Sequence, residues 1–441
     1  MAIAFLLGTA LVAIPVIGGR AVGGGELAAV ERLDGPAASQ LRWVLSRLGE
    51  GASESELRQH FAAAFLEAVP ADKLNPILVQ VGAEGPFDVE TVEPNGPTAL
   101  SVTLKGPRHG VAISIAVEPE PPHLITGLFF KPVERRVQSA NFDELVAALR
   151  KAAPEVTFLA ADVVDGQCRT VHAVDPDKAL ALGSAFKLYV LGAVAQAVIQ
   201  GDLTWEQMVP VRDDQLVHTS QRFGAQTTRR QGSVEELAQA MIEVSDNTAT
   251  DVLLELVGRH AVEAAQARMG MSAPAANVPF LSTREMTLLK WGRPPLAAEF
   301  LAQGDAAARR RFLDERLSGR PAREQDVDFT PHPNHIEAIE WFASASDLCR
   351  AHLALADLAR RPVLAPLAQI LGTNPGLPFE PQPKHVSFKG GSEPGVLAGS
   401  WLIAGPDDER VMIVILLRNT AGAIDTEALR AAEDAYRLLL D

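Results

Sequence analysis

Ser184-Ala185-Phe186-Lys187-Leu188-Tyr189-Val190-Leu191 opens a stretch that runs on through Ala193, Val194, Ala195, Val198 and Ile199 and is apolar almost all round. A helix of this kind has no face to give to water and belongs at the centre of a domain. Lys187 is its sole charge. A buried ammonium must be paired or lose its proton, and either state suits a base one helical turn from a serine hydroxyl. Ser184, at the helix start, also gains the free N–H groups and the positive dipole end, which favour a developing oxyanion.

Two further segments bear on this one. Ser245-Asp246-Asn247 follows an amphipathic helix capped by Ser233 and Glu236 and striped by Leu237, Ala240, Met241 and Val244, and it precedes a second helix from Asp251 to Val257. Alone, three polar residues in a helix–helix turn read as a cap. Beside a Ser-x-x-Lys they supply a hydroxyl able to pass a proton and an amide, Asn247, able to bind an acyl side chain. Lys389-Gly390-Gly391-Ser392 ends a strand, and its two glycines let a substrate approach the backbone. Lys389 supplies positive charge, and the N–H groups of Ser184 and Ser392 are the natural oxyanion pair.

The chain has 441 residues, enough for two domains. A net charge of -15 argues against nucleic acid or an anionic membrane surface as partner. The densest basic run, Arg309-Arg310-Arg311, reads as a solvated helix face. Two cysteines and scattered histidines offer no metal cage, with His332 and His335 in a Pro-rich stretch, so no metal and no cofactor is expected. Cys168 and Cys349 can make one bridge at most, and their separation favours two free thiols. Ala2 to Ile17 is long enough for a signal-peptide core and short for a bilayer span, with Gly19-Arg20-Ala21 as a cleavage site. Export with a leader over 1–21 is the expectation, although no Lys or Arg precedes the run.

From 22 to 137 the pattern is helices, Ala38 to Leu48 and a Ser53/Glu56 capping box running through Val69, then strands. The strands are Ile77 to Gly82, Phe87 to Val92, Ala99 to Leu104, Val111 to Val117 and Leu124 to Phe130, with His109 in a turn. Arg135 to Ser139 is the linker. The second domain, 138–441, starts with a helix from Phe142 to Ala152 and a hairpin, Val156 to Val164 and Cys168 to Ala173, about Asp165-Gly166. It ends with strands Ser387 to Gly391, Val396 to Ile403 and Val411 to Leu417 and a helix from Asp425 to Leu440. A helix from each end therefore flanks one antiparallel sheet, and Ser184 to Arg360 forms a helical lobe.

Ser-x-x-Lys, Ser-Asp-Asn and a Lys-Gly-Gly in place of Lys-Thr-Gly, in this order, resemble the set of class A β-lactamases and penicillin-binding proteins. With Pro279-Phe280-Leu281-Ser282-Thr283-Arg284-Glu285-Met286 and Glu340-Trp341-Phe342-Ala343-Ser344, nearly the whole chain resembles two-domain serine hydrolases typified by a clavulanic-acid pathway protein and mycobacterial lipoproteins. The resemblance implies an α+β fold, a small steroid-isomerase-like domain followed by a DD-peptidase/β-lactamase-like one. It implies Ser184 as nucleophile, Lys187 as base, Ser245 as proton shuttle, Lys389 as electrostatic contact, and Asn247, Gly390, Gly391 and Ser392 at the substrate.

The departures shape the functional expectation. Class A enzymes carry a Glu-x-x-Leu-Asn loop whose Glu serves deacylation. Here the nearest match is Glu285-Met286-Thr287-Leu288 followed by Leu289, which reads as a charge at the start of a packed helix. Helical sequence is inserted from Pro295 to Leu317, and Gly390 removes a hydroxyl. The expectation is a serine hydrolase working through a Ser-Lys acyl-enzyme on a small ester, amide or β-lactam, an esterase or amidase with little β-lactam turnover. A penicillin-binding or peptidoglycan-acting acyl-transferase and a non-catalytic binding protein are the alternatives. A Gly-x-Ser-x-Gly elbow is absent, which disfavours α/β-hydrolase chemistry.

Overall fold

The first unit lays short helices on an antiparallel meander. The computed structural model describes residues 35–94, 98–106, 109–134, 138–406 and 409–441; the expected leader over 1–21 and linker residues 135–137 lie outside these. The chain divides into two compact units between Val137 and Gln138. Helices α1 (Pro36–Arg47), α2 (Glu54–His60), α3 (Ala63–Ala68) and α4 (Ala71–Ala83) precede strands β1 (Asp88–Pro94), β2 (Ala99–Lys105), β3 (His109–Val117) and β4 (Ile125–Glu134). The sheet order is β1-β2-β3-β4. Leu41, Val44, Leu57, Leu78, Leu104 and Ile113 meet in its core.

Three expectations fail here, each because tertiary packing outweighs local pattern. Ile77 to Gly82, β-like in composition, is the second half of α4, where Leu74, Leu78 and Gly82 fall one helical turn apart and are buried. The helix expected through Val69 breaks at Phe61 and Ala62, where the Ala62 N–H turns to the Ile125 carbonyl at 3.0 Å and the chain bridges to the start of β4. His109 begins β3 rather than standing in a turn.

The second unit follows the sequence pattern closely. Helix α5 (Phe142–Ala152) leads to β5 (Glu155–Val164), the Asp165-Gly166 turn with both residues at positive φ, and β6 (Gln167–Val174). After β7 (Leu180–Ala181), a 3₁₀ turn (Gly183–Phe186) feeds α6 (Lys187–Gln200). The lobe continues with β8 (Met208–Pro210), β9 (Gln231–Ser233), α7 (Val234–Glu243), α8 (Asn247–Val257), α9 (Arg259–Arg268), α10 (Thr283–Trp291), α11 (Ala297–Leu301) and α12 (Ala306–Leu317). The short strand β10 (Phe342–Ala343) pairs with β7, and α13 (Ala345–Leu358) and α14 (Ala365–Gly372) return the chain to the sheet. Strands β11 (His385–Glu393), β12 (Val396–Ala404) and β13 (Arg410–Arg418) precede α15 (Ala431–Leu440).

The five-stranded sheet has the order β11-β12-β13-β5-β6, every neighbour antiparallel. Strand alternation divides its two faces. Ile413 and Ile415 pack on α5 and α15, with Leu149, Trp401 and Tyr436. Met412, Val414 and Leu416 pack on the helical lobe, where α6 has nearly every residue buried. A mixed helix-and-sheet fold of the β-lactamase/DD-peptidase type is therefore what this unit has.

The expectation of two free thiols is also corrected. Cys168 on β6 and Cys349 on α13 form a disulfide, their Cα atoms 6.6 Å apart. A separation of 181 residues in sequence says nothing about distance once α13 lies on the sheet.

Candidate active site

The Ser184 turn is held on two sides by residues far away in sequence. Leu182 donates its N–H to the Trp341 carbonyl at 2.9 Å, and the Phe186 ring stacks on the Trp341 indole with centroids 3.6 Å apart. Phe280 meets the same Phe186 ring edge-on, and the Trp341 Nε1–H donates to the Leu281 carbonyl at 3.0 Å. The Pro279–Met286 and Glu340–Ser344 stretches thus converge on Phe186, the residue before Lys187.

On its other side the turn meets β11 backbone to backbone. A Cβ on Gly183, whose φ is +48°, would stand 2.9 Å from the Ser392 nitrogen. One on Gly391 would stand 2.8 Å from the Ala185 nitrogen and closer still to that of Ser184. Only glycine fits such an approach. It brings the N–H groups of Ser184 and Ser392 into one small region, with Ser184 half-buried and the Ser392 side chain exposed.

Lys187 is fully buried, and its Nζ lies 2.6 Å from the Ser245 carbonyl, 2.6 Å from Asn247 Oδ1 and 2.9 Å from Ser245 Oγ. Among the described residues, no hydrogen bond joins this nitrogen to Ser184 Oγ. Burial first, and then the Lys389 charge, push its pKa well below that of an ordinary lysine, against the attraction of Asp246 and Asp251. A neutral amine fits these three partners. Its two hydrogens satisfy the carbonyl and the amide oxygen, which can only accept, and its lone pair is left for the Ser245 hydroxyl proton.

Lys389 approaches Ser245 Oγ from the sheet side at 3.1 Å and donates to its neighbour's carbonyl, Gly390 O, at 2.9 Å. Burial lowers its pKa to about 7. Ser245, at φ 56°, therefore places one hydroxyl between two buried lysines. The strand behind Lys389 is fixed by Ser400 Oγ, which donates to the Lys389 carbonyl at 3.0 Å and lies 2.9 Å from His352 Nε2. Burial drives His352 down to about 3, so that ring is neutral.

Several residues that the sequence reading gave no role prove central to the geometry. Asp246 is buried and accepts from the N–H groups of Ala249, Arg222 and Phe223, which caps α8 and ties the 218–224 loop to it. Thr219 in that loop accepts from Asn247 Nδ2 at 2.6 Å, which orients the amide toward Lys187. Thr283 Oγ1 donates to Asp251 at 2.6 Å and lies 3.0 Å from the Asn247 carbonyl. Asp246 belonged to a recognised motif; Thr219 and Thr283 carry no sequence signal that separates them from other threonines.

Two of the departures have a physical cause. A Cβ at Gly390 would come within 2.8 Å of the Phe388 ring, which stacks on Trp401, so aromatic carbon fills the space a threonine would need. Glu285 caps α10 with Ser282 and receives both Arg259 Nη2 at 2.6 Å and Nη1 at 3.0 Å. Burial alone would raise its pKa, but the Arg259 guanidinium outweighs this and holds it below the usual carboxylate range. It is, as expected, a charge at the start of a packed helix, with its oxygens engaged.

No curated protein matches the chain. Among solved structures, PBP-A is similar over 66% of this chain and 95% of its own, at 14% identity and a TM-score of 0.44. A β-lactamase from Sphaerobacter thermophilus DSM 20745 is similar over 68% and 96%, at 19% identity and a TM-score of 0.47. One from Chitinophaga pinensis DSM 2588 is similar over 68% and 97%, at 13% identity and a TM-score of 0.48. Residues 33–121 match a family described as ORF 12 gene product N-terminal. Residues 140–439, well over half of the sequence, match the model of the β-lactamase enzyme family, and to that family the chain belongs.

Proposed function

We propose that this protein is a serine hydrolase in which Ser184 is acylated by a small ester or amide and the acyl group then passes to water. The observation that carries this is the pair of buried lysines around Ser245 Oγ, beside a serine whose N–H lies next to that of Ser392. Lys187, as a neutral amine whose lone pair turns from the Ser245 hydroxyl to Ser184, takes the Ser184 proton; Ser245, between Lys187 and Lys389, then relays a proton from Lys187 to the leaving group. The N–H groups of Ser184 and Ser392 receive the oxyanion. The Lys389 ammonium attracts an anionic substrate group, and Asn247, Gly390, Gly391 and Ser392 line the acyl-binding side.

β-Lactams acylate but turn over slowly in this reading. Glu285 is tied to Arg259 and cannot prepare a deacylating water, which gives the site a penicillin-binding character toward such substrates. With small acyl groups the departed alcohol leaves room for water, and Lys187 serves again as base. The disulfide supports an oxidising compartment and hence export. The four helices and four-stranded meander of the first unit support a steroid-isomerase-like domain.

Intact-mass analysis after incubation with a fluorophosphonate, activated esters and β-lactams, followed by peptide mapping, tests this reading. The expected adduct is on Ser184. An adduct on Ser245 or Ser392, or labelling that persists in Ser184→Ala, overturns it.

A further inference from the structure

Glu393 follows Ser392 and shares a strand face with Lys389 and Gly391, the residues that meet Ser245 and the Ser184 turn. Its Oε1 accepts from Lys290 Nζ at 2.6 Å, and the same nitrogen lies 3.1 Å from Glu340 Oε1. The side chains of Lys290 and Glu340 are fully buried, and that of Glu393 is 8% exposed. Glu340 Oε2 accepts from the Trp341 N–H, the residue whose ring supports Phe186. The hairpin turn after Glu393 is equally fixed, since a Cβ on Gly395 would stand 2.7 Å from Pro333 and 3.0 Å from Ile336. One ammonium thus links the end of β11 to the segment behind the Ser184 turn.

We propose that Glu393 is a positioning residue for acyl transfer, closing with Lys290 and Glu340 a charge-balanced cluster that holds the end of β11, and with it the Ser392 N–H, against the turn that carries Ser184. This rests on the oxyanion reading given above. Charge balance requires that one ammonium face one carboxylate and that the second carboxyl keep its proton. Burial first, and then the Glu340 charge, raise the Glu393 pKa to about 9 against the pull of Lys290. Among the described residues, the charged groups facing Glu393 are Lys290 from α10 and Glu340 from the segment before β10; Val396 stands opposite on β12. Loss of that proton leaves two buried carboxylates on one ammonium. Repulsion then loosens the strand end, and a net negative charge stands on the residue after Ser392, where it opposes the oxyanion.

The test is the rate of fluorophosphonate labelling of Ser184 from pH 6 to 10 in the parent, Glu393→Gln and Glu340→Gln. Glu393→Gln keeps shape and neutrality at every pH. Glu340→Gln leaves one carboxylate for one ammonium, so Glu393 ionises without excess charge. The variant-to-parent ratio should be flat below pH 8 and rise roughly tenfold above pH 9, the scale of a unit charge on the order of 10 Å away through protein. A flat ratio to pH 10 in either variant, folded as judged by circular dichroism, overturns the proposal. Ser184 labelling in the parent is scored separately, for the functional reading; a parent that never labels overturns both.

Discussion

Two sites on one face of β11, Lys389 at mid-strand and Glu393 at its end, solve opposite versions of the same electrostatic problem. At Lys389 two buried lysines surround a hydroxyl; at Glu393 two buried carboxyls surround an ammonium. Excess charge of one sign cannot be kept out of water, so a lysine gives up its proton at the first site and a carboxyl retains one at the second. The result at the first is an amine lone pair facing the Ser245 hydroxyl, which suits it to proton transfer. At the second it is a neutral acid already spent on Lys290, which is a clamp. Similar burial yields chemistry or rigidity according to which sign is in excess.

The largest expected effect breaks the first site. Lys187→Ala should slow acylation roughly a hundred- to ten-thousand-fold, the usual weight of a general base, in single-turnover measurements. Near-parental acylation would place the base elsewhere, with Asp246 and Asp251, the buried carboxylates whose charges act on Lys187, the first to examine. Next, with Glu285 occupied by Arg259, chromogenic cephalosporin turnover should be at least about a hundredfold slower than short-chain ester hydrolysis. Rapid multiple turnover of the cephalosporin would show that a deacylating base is present after all, and Glu285→Gln would identify or clear it.

A smaller effect sharpens the comparison through pH. Lys389 is charged below about pH 7 and neutral above. KM for a carboxylate-bearing substrate should therefore rise about tenfold as pH passes through 7, while KM for a neutral ester stays level. Equal behaviour of the two substrates would remove Lys389 from anion binding. The smallest effect concerns stability at the second site, Glu393. Folded Glu393 keeps its proton to about pH 9, whereas the unfolded chain releases it near 4.5. The folded state binds the extra proton across that interval, so this contribution is full below pH 4.5 and is lost as pH rises through 9. Thermal melts of Glu393→Gln should fall less steeply than the parent between pH 5 and 9; parallel curves would contradict the assignment.

The second unit was largely legible because its pattern and its packing agree. The Asp165-Gly166 hairpin, α5, β12 and β13 carry periodicities that the final sheet uses unchanged. In the first unit Ile77 to Gly82 misled, since its β-branched residues are placed by the core contacts of Leu74 and Leu78 rather than by their own preference.

Within the site, the sequence alone determined the central buried helix, its single lysine, and the three segments that meet around Ser184, because a lone charge in an apolar run and a short polar turn are local facts. Tertiary structure decided the rest. Lys187 turns toward Ser245 and Asn247, Asp246 serves as the pin of a loop, Cys168 reaches Cys349, and Glu393 joins Lys290 and Glu340. Each of these depends on the distance between atoms on different elements. That distance fixes both the partner of a buried charge and the side on which its proton rests, and neither is written in spacing along the chain.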